Sequence, residues 1–218
     1  MDPEFWHERW RTGDIGFHRP EAHDLLTRHW PGLDLDPDAK VLVPLCGKSH
    51  DMAWLAARGH RIVGVELSQI AIDEFFAHEG LAPESEQRGS FNVKRAGPYE
   101  LWCGDIFALP AEAVDSIAGV YDRASLVAFP LAEQPRFANA LAALTPRGGK
   151  MLLIGLEHDP AEMKGPPFPA SRERIAEMLG GDFGVTLIEE RDALAVNPGL
   201  SKRGLTRLVE TAFRLTRR

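Results

Sequence analysis

The feature that most constrains this chain is an alternation that begins at Lys40. The run 41–45, Val41-Leu42-Val43-Pro44-Leu45, is short, branched and bounded by Lys40 on one side and Cys46-Gly47-Lys48 on the other. Such a run reads as a strand buried on both faces. Ser49 then offers an N-cap, Met52, Ala53, Leu55 and Ala56 form a helical stripe, and Gly59 stops it. A second strand over 62–65 ends on Glu66. Strand, helix and strand in that order require a right-handed crossover and a parallel pair, and a parallel pair must be covered on both faces.

The rest of the chain supplies the cover. Ser68 opens a helix through Ile70, Ala71, Phe75 and Phe76 that closes near Gly80. Segment 81–98, rich in Glu, Ser, Gly and Pro, is a connection or a hairpin. Strands over 99–102, 117–121 and 150–155, helices over 134–144 and 172–179, and strands near 185–191 and 206–215 follow. The expected fold is doubly wound α/β, mostly parallel, with helices on both faces. Loop 155–169, with Pro160, Pro166, Pro167 and Pro169, leaves the carboxyl end of the fifth strand, the edge where ligands bind in open α/β sheets.

A chain of 218 residues fits one domain, here an aromatic N-terminal segment, 1–35, and a Rossmann-like core, 40–218. The first thirty residues hold Trp6, Trp10 and Trp30 with Phe5 and Phe17. Trp6 and Trp10 are four apart and share a helix face. That face serves either to dock the helix on the core or as a lid over a flat ligand.

Composition narrows the partners. The net charge of −7 with dispersed basic residues lacks the cationic face of a nucleic-acid binder, so a small molecule is favoured. No leader pattern and no apolar run of ~20 residues is present, which predicts a cytoplasmic protein without a membrane partner. Cys46 and Cys103 have no ligand spacing and are expected to be reduced packing residues; the scattered histidines predict no catalytic metal. Without a heptad pattern, a monomer is expected.

Glu66 carries the sharpest chemical signal. A carboxylate at the tip of the second strand accepts ribose hydroxyls in nucleotide-binding sheets, and Glu66 lies 21 residues beyond Leu45, near the usual offset of about 20. That fits NAD and S-adenosylmethionine equally. The turn before it, Pro44-Leu45-Cys46-Gly47-Lys48-Ser49, holds one glycine, too few for the dinucleotide fingerprint. Gly47-Lys48-Ser49 imitates the end of a P-loop, but Leu42 stands where that motif needs its first glycine.

Further blocks follow in order: Trp10 with Gly16-Phe17-His18; the 44–49 turn; Arg58-Gly59-His60 and Val63-Gly64-Val65-Glu66-Leu67-Ser68; Asp105-Ile106-Phe107; Tyr121-Asp122-Arg123-Ala124-Ser125-Leu126-Val127-Ala128; and Gly165-Pro166-Pro167-Phe168. Together they resemble the thiopurine S-methyltransferases over nearly the whole chain. The resemblance implies a class I methyltransferase fold, with a seven-stranded sheet whose last strand is antiparallel. It also implies S-adenosyl-L-methionine as methyl donor, S-adenosyl-L-homocysteine as product, and the sulfur of thiopurines or related aromatic and heterocyclic thiols as acceptor.

Carried onto matching positions, the resemblance has Leu45 contact the donor, Glu66 bind its ribose, Asp105 and Ile106 face the adenine, and Trp10 cover the donor from the N-terminal lid. Arg123 would reach the methionine portion or the acceptor, and Phe17 the substrate. Some relatives carry Ser where this chain has Asp105, and the family's basic residue in the C-terminal loop does not align cleanly with Lys202 or Arg203.

Methyl transfer from a sulfonium is an in-line displacement that mainly needs alignment. Arginine stays protonated, so Arg123 would act by charge rather than as a base, with Asp122 orienting it; His18 reads as structural. Three rivals remain. They are an NAD-dependent oxidoreductase on the same sheet, a binding protein without turnover, and methylation of selenium or tellurium compounds as the physiological role.

Overall fold

The computed structural model describes residues 2–218; Met1, the first residue of the expected N-terminal segment, lies outside them. By contact density the chain forms two compact units, residues 2–121 and 122–218.

The first unit opens with α1 (Pro3–Thr12) and α2 (Asp24–His29). Asp2 caps α1 by accepting from the Glu4 amide, and Gly13 ends it in the left-handed conformation, φ 71°. Then come β1 (Lys40–Pro44), α3 (His50–Ala56), β2 (Arg61–Glu66) and α4 (Gln69–His78). They are followed by β3 (Glu84–Arg88), β4 (Phe91–Ala96), β5 (Tyr99–Cys103) and β6 (Ile117–Arg123), whose last two residues fall in the second unit. Strand order here is β3-β4-β5-β2-β1-β6. β1 pairs in parallel with β2 and β6, and β2 with β5; β4 runs antiparallel to both β3 and β5.

Val41, Leu42, Ile62, Val63 and Val65 are all buried, as a strand covered on both faces requires. Each such side chain stabilises the fold by about 1.5–3 kcal/mol. Gly64 allows the close packing: a Cβ there would stand 2.5 Å from Leu101 Cδ2 and 2.8 Å from Cys46 Sγ. α4 packs on β2 and β5. Ser49 caps α3 through its side chain, whereas Ser68, at the matching place on α4, makes no side-chain capping bond.

The second unit contains α5 (Gln134–Leu144), β7 (Lys150–Glu157), α6 (Arg172–Leu179), β8 (Phe183–Asp192), α7 (Pro198–Lys202) and β9 (Val209–Arg217). β9 lies antiparallel between β7 and β8, with an irregularity in β8 at Leu187/Glu189, and α6 packs on β7 and β8. Met163, Ala193, Leu205 and Leu208 form a buried cluster beneath the loops.

The α/β class and the antiparallel last strand are as expected, but the described residues hold nine strands where seven were anticipated. The two additional strands are the β3/β4 hairpin, in the segment whose form the sequence left open. β9 also starts at Val209, three residues later than the periodicity suggested.

Candidate functional site

Glu66 stands at the carboxyl edge of the first unit's parallel strands. It ends β2, is 6% exposed, and its two carboxylate oxygens are held separately: Oε2 accepts from the Gly47 amide at 2.9 Å and Oε1 from the Ser68 amide at 2.8 Å. Burial raises its pKa, and the amides of Ser68, Gly47 and Leu67 oppose the rise. A carboxylate has about four lone-pair positions, so capacity remains for ligand hydroxyls.

The turn above it is strained. Leu45 has φ 45° and Gly47 φ 53°. A branched residue in the left-handed region is held at a cost of about 1–3 kcal/mol, which such sites carry where backbone groups must be aimed. The Cys46 amide donates to the Val65 carbonyl at 3.0 Å, fixing the turn to the end of β2. Cys46 itself is buried, and burial, then the charge of Glu66, pushes its thiol well up; Cys103 is pushed to about 11 for the same reasons. Both are free cysteines that hold their protons, in keeping with packing roles.

The N-terminal segment comes down on this turn. Trp10, 6% exposed, lies so close that a Cβ at Gly47 would meet its Cζ2 at 3.1 Å. Phe17 meets Trp10 edge-on at 5.6 Å between centroids and Trp6 at 5.7 Å, and Lys48 Nζ is 5.9 Å from the Trp10 ring centre. The aromatic N-terminal segment and the first turn, both expected at the donor, are thus in contact with each other.

Asp105 and Ile106 follow β5. The Gly104 amide donates to the Glu66 carbonyl at 2.9 Å, so this corner is tied to the tip of β2. Asp105 is exposed and accepts from the Phe107 amide at 3.0 Å, capping a short 3-10 turn in which Ile106 is buried. Gly104 is required there: a Cβ would stand 2.5 Å from Phe91 Cδ1 of the hairpin.

In the second unit, Arg123 is half-buried at the end of β6, followed by Ala124 at φ 64°. Asp122 is completely buried; its Oδ1 accepts from the Leu126 amide at 3.3 Å and its Oδ2 has no hydrogen-bond partner. Burial raises its pKa to about 6. The Phe168 amide donates to the Val127 carbonyl at 2.7 Å, and His158 has its two ring nitrogens 3.1 Å and 3.0 Å from the Asp159 and Pro167 carbonyl oxygens. Arg203 donates to the Pro166 carbonyl at 2.8 Å, while Lys202 is exposed.

Among the described residues no group of His, Cys, Asp and Glu could hold a metal ion. One buried carboxylate beside the first turn was not singled out from sequence. Asp51 is 1% exposed and accepts from the His23 amide at 2.7 Å and from the Tyr121 hydroxyl at 3.2 Å. Only its place in the first turn of a capped helix is visible locally.

Comparisons with known proteins find relatives along the whole chain. A family model described as thiopurine S-methyltransferase matches residues 1–218. The thiopurine S-methyltransferase of Azotobacter vinelandii is 44% identical over 218 residues, covering all of both chains. That of Pseudomonas entomophila is 45% identical over 217 residues, again covering both in full. Among solved structures, a SAM-dependent methyltransferase from Anabaena variabilis matches with TM-score 0.68 at 14% identity, over 99% of this chain and 95% of that one. A Burkholderia thailandensis 1,6-didemethyltoxoflavin-N1-methyltransferase, solved with S-adenosylhomocysteine, matches with TM-score 0.65 at 17% identity, over 98% and 87%. At those identities the solved structures establish the fold.

Proposed function

The chain belongs to the thiopurine S-methyltransferase family, and on that premise we propose that it moves the methyl group of S-adenosylmethionine to the sulfur of a thiopurine or a related aromatic or heterocyclic thiol. The carrying observation is Glu66, fixed by two backbone amides beneath a turn with one glycine. That arrangement suits a ribose and offers little to a pyrophosphate.

Glu66 holds the ribose hydroxyls, the turn at Leu45 meets the methionine portion, and Asp105 and Ile106 take the adenine. The bound donor supplies an activated methyl carbon on a sulfonium, so no covalent enzyme intermediate is needed. Trp10 excludes water and, with Phe17, presents aromatic faces to a cation, an attraction on the order of 0.5–2 kcal/mol. Phe17 packs on the acceptor. Arg123 favours the thiolate form of the acceptor, or holds the donor's carboxylate, by its fixed charge.

We further take residues 1–218 as one methyltransferase domain acting as a monomer in the cytoplasm on small molecules. The single domain is supported by the family model that matches residues 1–218, and the small-molecule partner by the net charge of −7; no helix among the described residues is long and apolar enough to cross a membrane.

The test is isothermal titration with S-adenosylhomocysteine for wild type and Glu66→Ala, followed by methyl transfer to 6-mercaptopurine. Saturable binding weakened about 10- to 100-fold by the substitution, with methylthiopurine formed, is expected. Wild type that does not bind overturns the reading; binding without product redirects it to another acceptor.

A further inference from the structure

Three segments that the proposed reaction uses meet at one buried carboxylate. Asp51 lies in the first turn of α3, four residues beyond Gly47, and is 1% exposed. Its Oδ1 accepts from the His23 amide at 2.7 Å, across 28 residues of sequence. His23, itself buried, caps α2 through Nδ1, which accepts from the Leu25 amide at 3.2 Å. It therefore ends the irregular stretch that carries Phe17. The other carboxylate oxygen of Asp51, Oδ2, accepts from the Tyr121 hydroxyl at 3.2 Å, across 70 residues. Tyr121 lies in β6 two residues before Arg123, with its ring edge-on to Trp30 at 6.2 Å.

Burying a charge here costs more than filling the same space with an apolar side chain. What the carboxylate adds is direction: charge-assisted bonds to a backbone amide and a hydroxyl fix both partners at set angles. We propose that Asp51 is a positioning residue for methyl transfer, holding the end of the aromatic N-terminal segment and strand β6 in register with the donor turn. It acts through its partners and touches neither donor nor acceptor. The proposal rests on the methyltransferase reading above.

It predicts that the two arms separate. In the full-length protein, Asp51→Asn replaces the charge without changing shape, and Tyr121→Phe removes only the arm to β6. Measurements are kcat and donor KM with 6-mercaptopurine, binding of S-adenosylhomocysteine, and hydrogen exchange over residues 13–23. Asp51→Asn is expected to raise donor KM and speed exchange over residues 13–23, each by about tenfold, the worth of one charge-assisted bond. Tyr121→Phe should lower kcat severalfold while leaving S-adenosylhomocysteine affinity and that exchange as in wild type. Equal losses in both variants, tracking a lowered Tm, would reduce Asp51 to a structural role and overturn the proposal, as would wild-type behaviour in Asp51→Asn. Wild type that neither binds nor transfers instead overturns the methyltransferase reading, and the proposal with it.

Discussion

Two parallel strands of this protein each carry a buried carboxylate at their carboxyl end, and the two are treated oppositely. Glu66 on β2 has both oxygens bound by backbone amides, at 2.9 Å and 2.8 Å. Asp122 on β6 has one oxygen bound at 3.3 Å and the other without a hydrogen-bond partner. Burial raises both pKa values. The contrast separates two uses of a buried acid: Glu66 is preorganised as an acceptor by its main chain, while burial of Asp122 is opposed only in part by hydrogen bonds from Leu126 and Ser125.

That contrast can be broken first at Asp122. Its pKa rises from 3.8 to about 6 on folding, so the folded state keeps the proton longer than the unfolded chain does. Its contribution to stability is therefore full at low pH and is lost as pH climbs through about 6. Asp122→Asn lacks this loss, and the stability difference in its favour should grow by on the order of 3 kcal/mol between about pH 4 and pH 7. Denaturant unfolding at several pH values reads it; a difference that does not change with pH would mean that Asp122 is already satisfied.

Glu66→Gln should move the other way. An amide nitrogen would face one of the two backbone N–H donors, so stability at pH 7 is expected to fall by about 2 kcal/mol. If the variant unfolds with wild-type ΔG, the two amides do not hold the carboxylate. Gly47→Ala sharpens the point with a smaller effect. At φ 53° and 3.1 Å from Trp10 Cζ2, a methyl group strains the very amide that donates to Glu66. A loss of about 1 kcal/mol in thermal unfolding is expected, and no shift in Tm would show that the turn adapts freely.

The same contrast explains what could be read from sequence. Glu66 and the first turn were legible because their chemistry is local in chain distance: a strand tip, a turn and a fixed offset. Helices α5 and α6 have the bounds that their apolar periodicity indicates. The β3/β4 hairpin was ambiguous because β3, Glu84-Ser85-Glu86-Gln87-Arg88, is exposed at every residue and has no hydrophobic alternation. The short α7 and the 3-10 turns are too brief for any period to register. Asp51 escaped for a different reason: its partners lie 28 and 70 residues away, and no local pattern encodes a meeting of that kind.

The hairpin's outer strand leaves a row of unpaired backbone groups at the border of the sheet, the usual seed for edge-to-edge aggregation. Its side chains answer that risk. Arg88 and Arg95 flank Glu86 and hold its carboxyl below the usual range, so the border keeps both signs of charge into mild acid. Colloidal stability of this protein should consequently depend on the five exposed polar residues of β3. Replacing them with threonine and valine would make a better strand and a poorer solution.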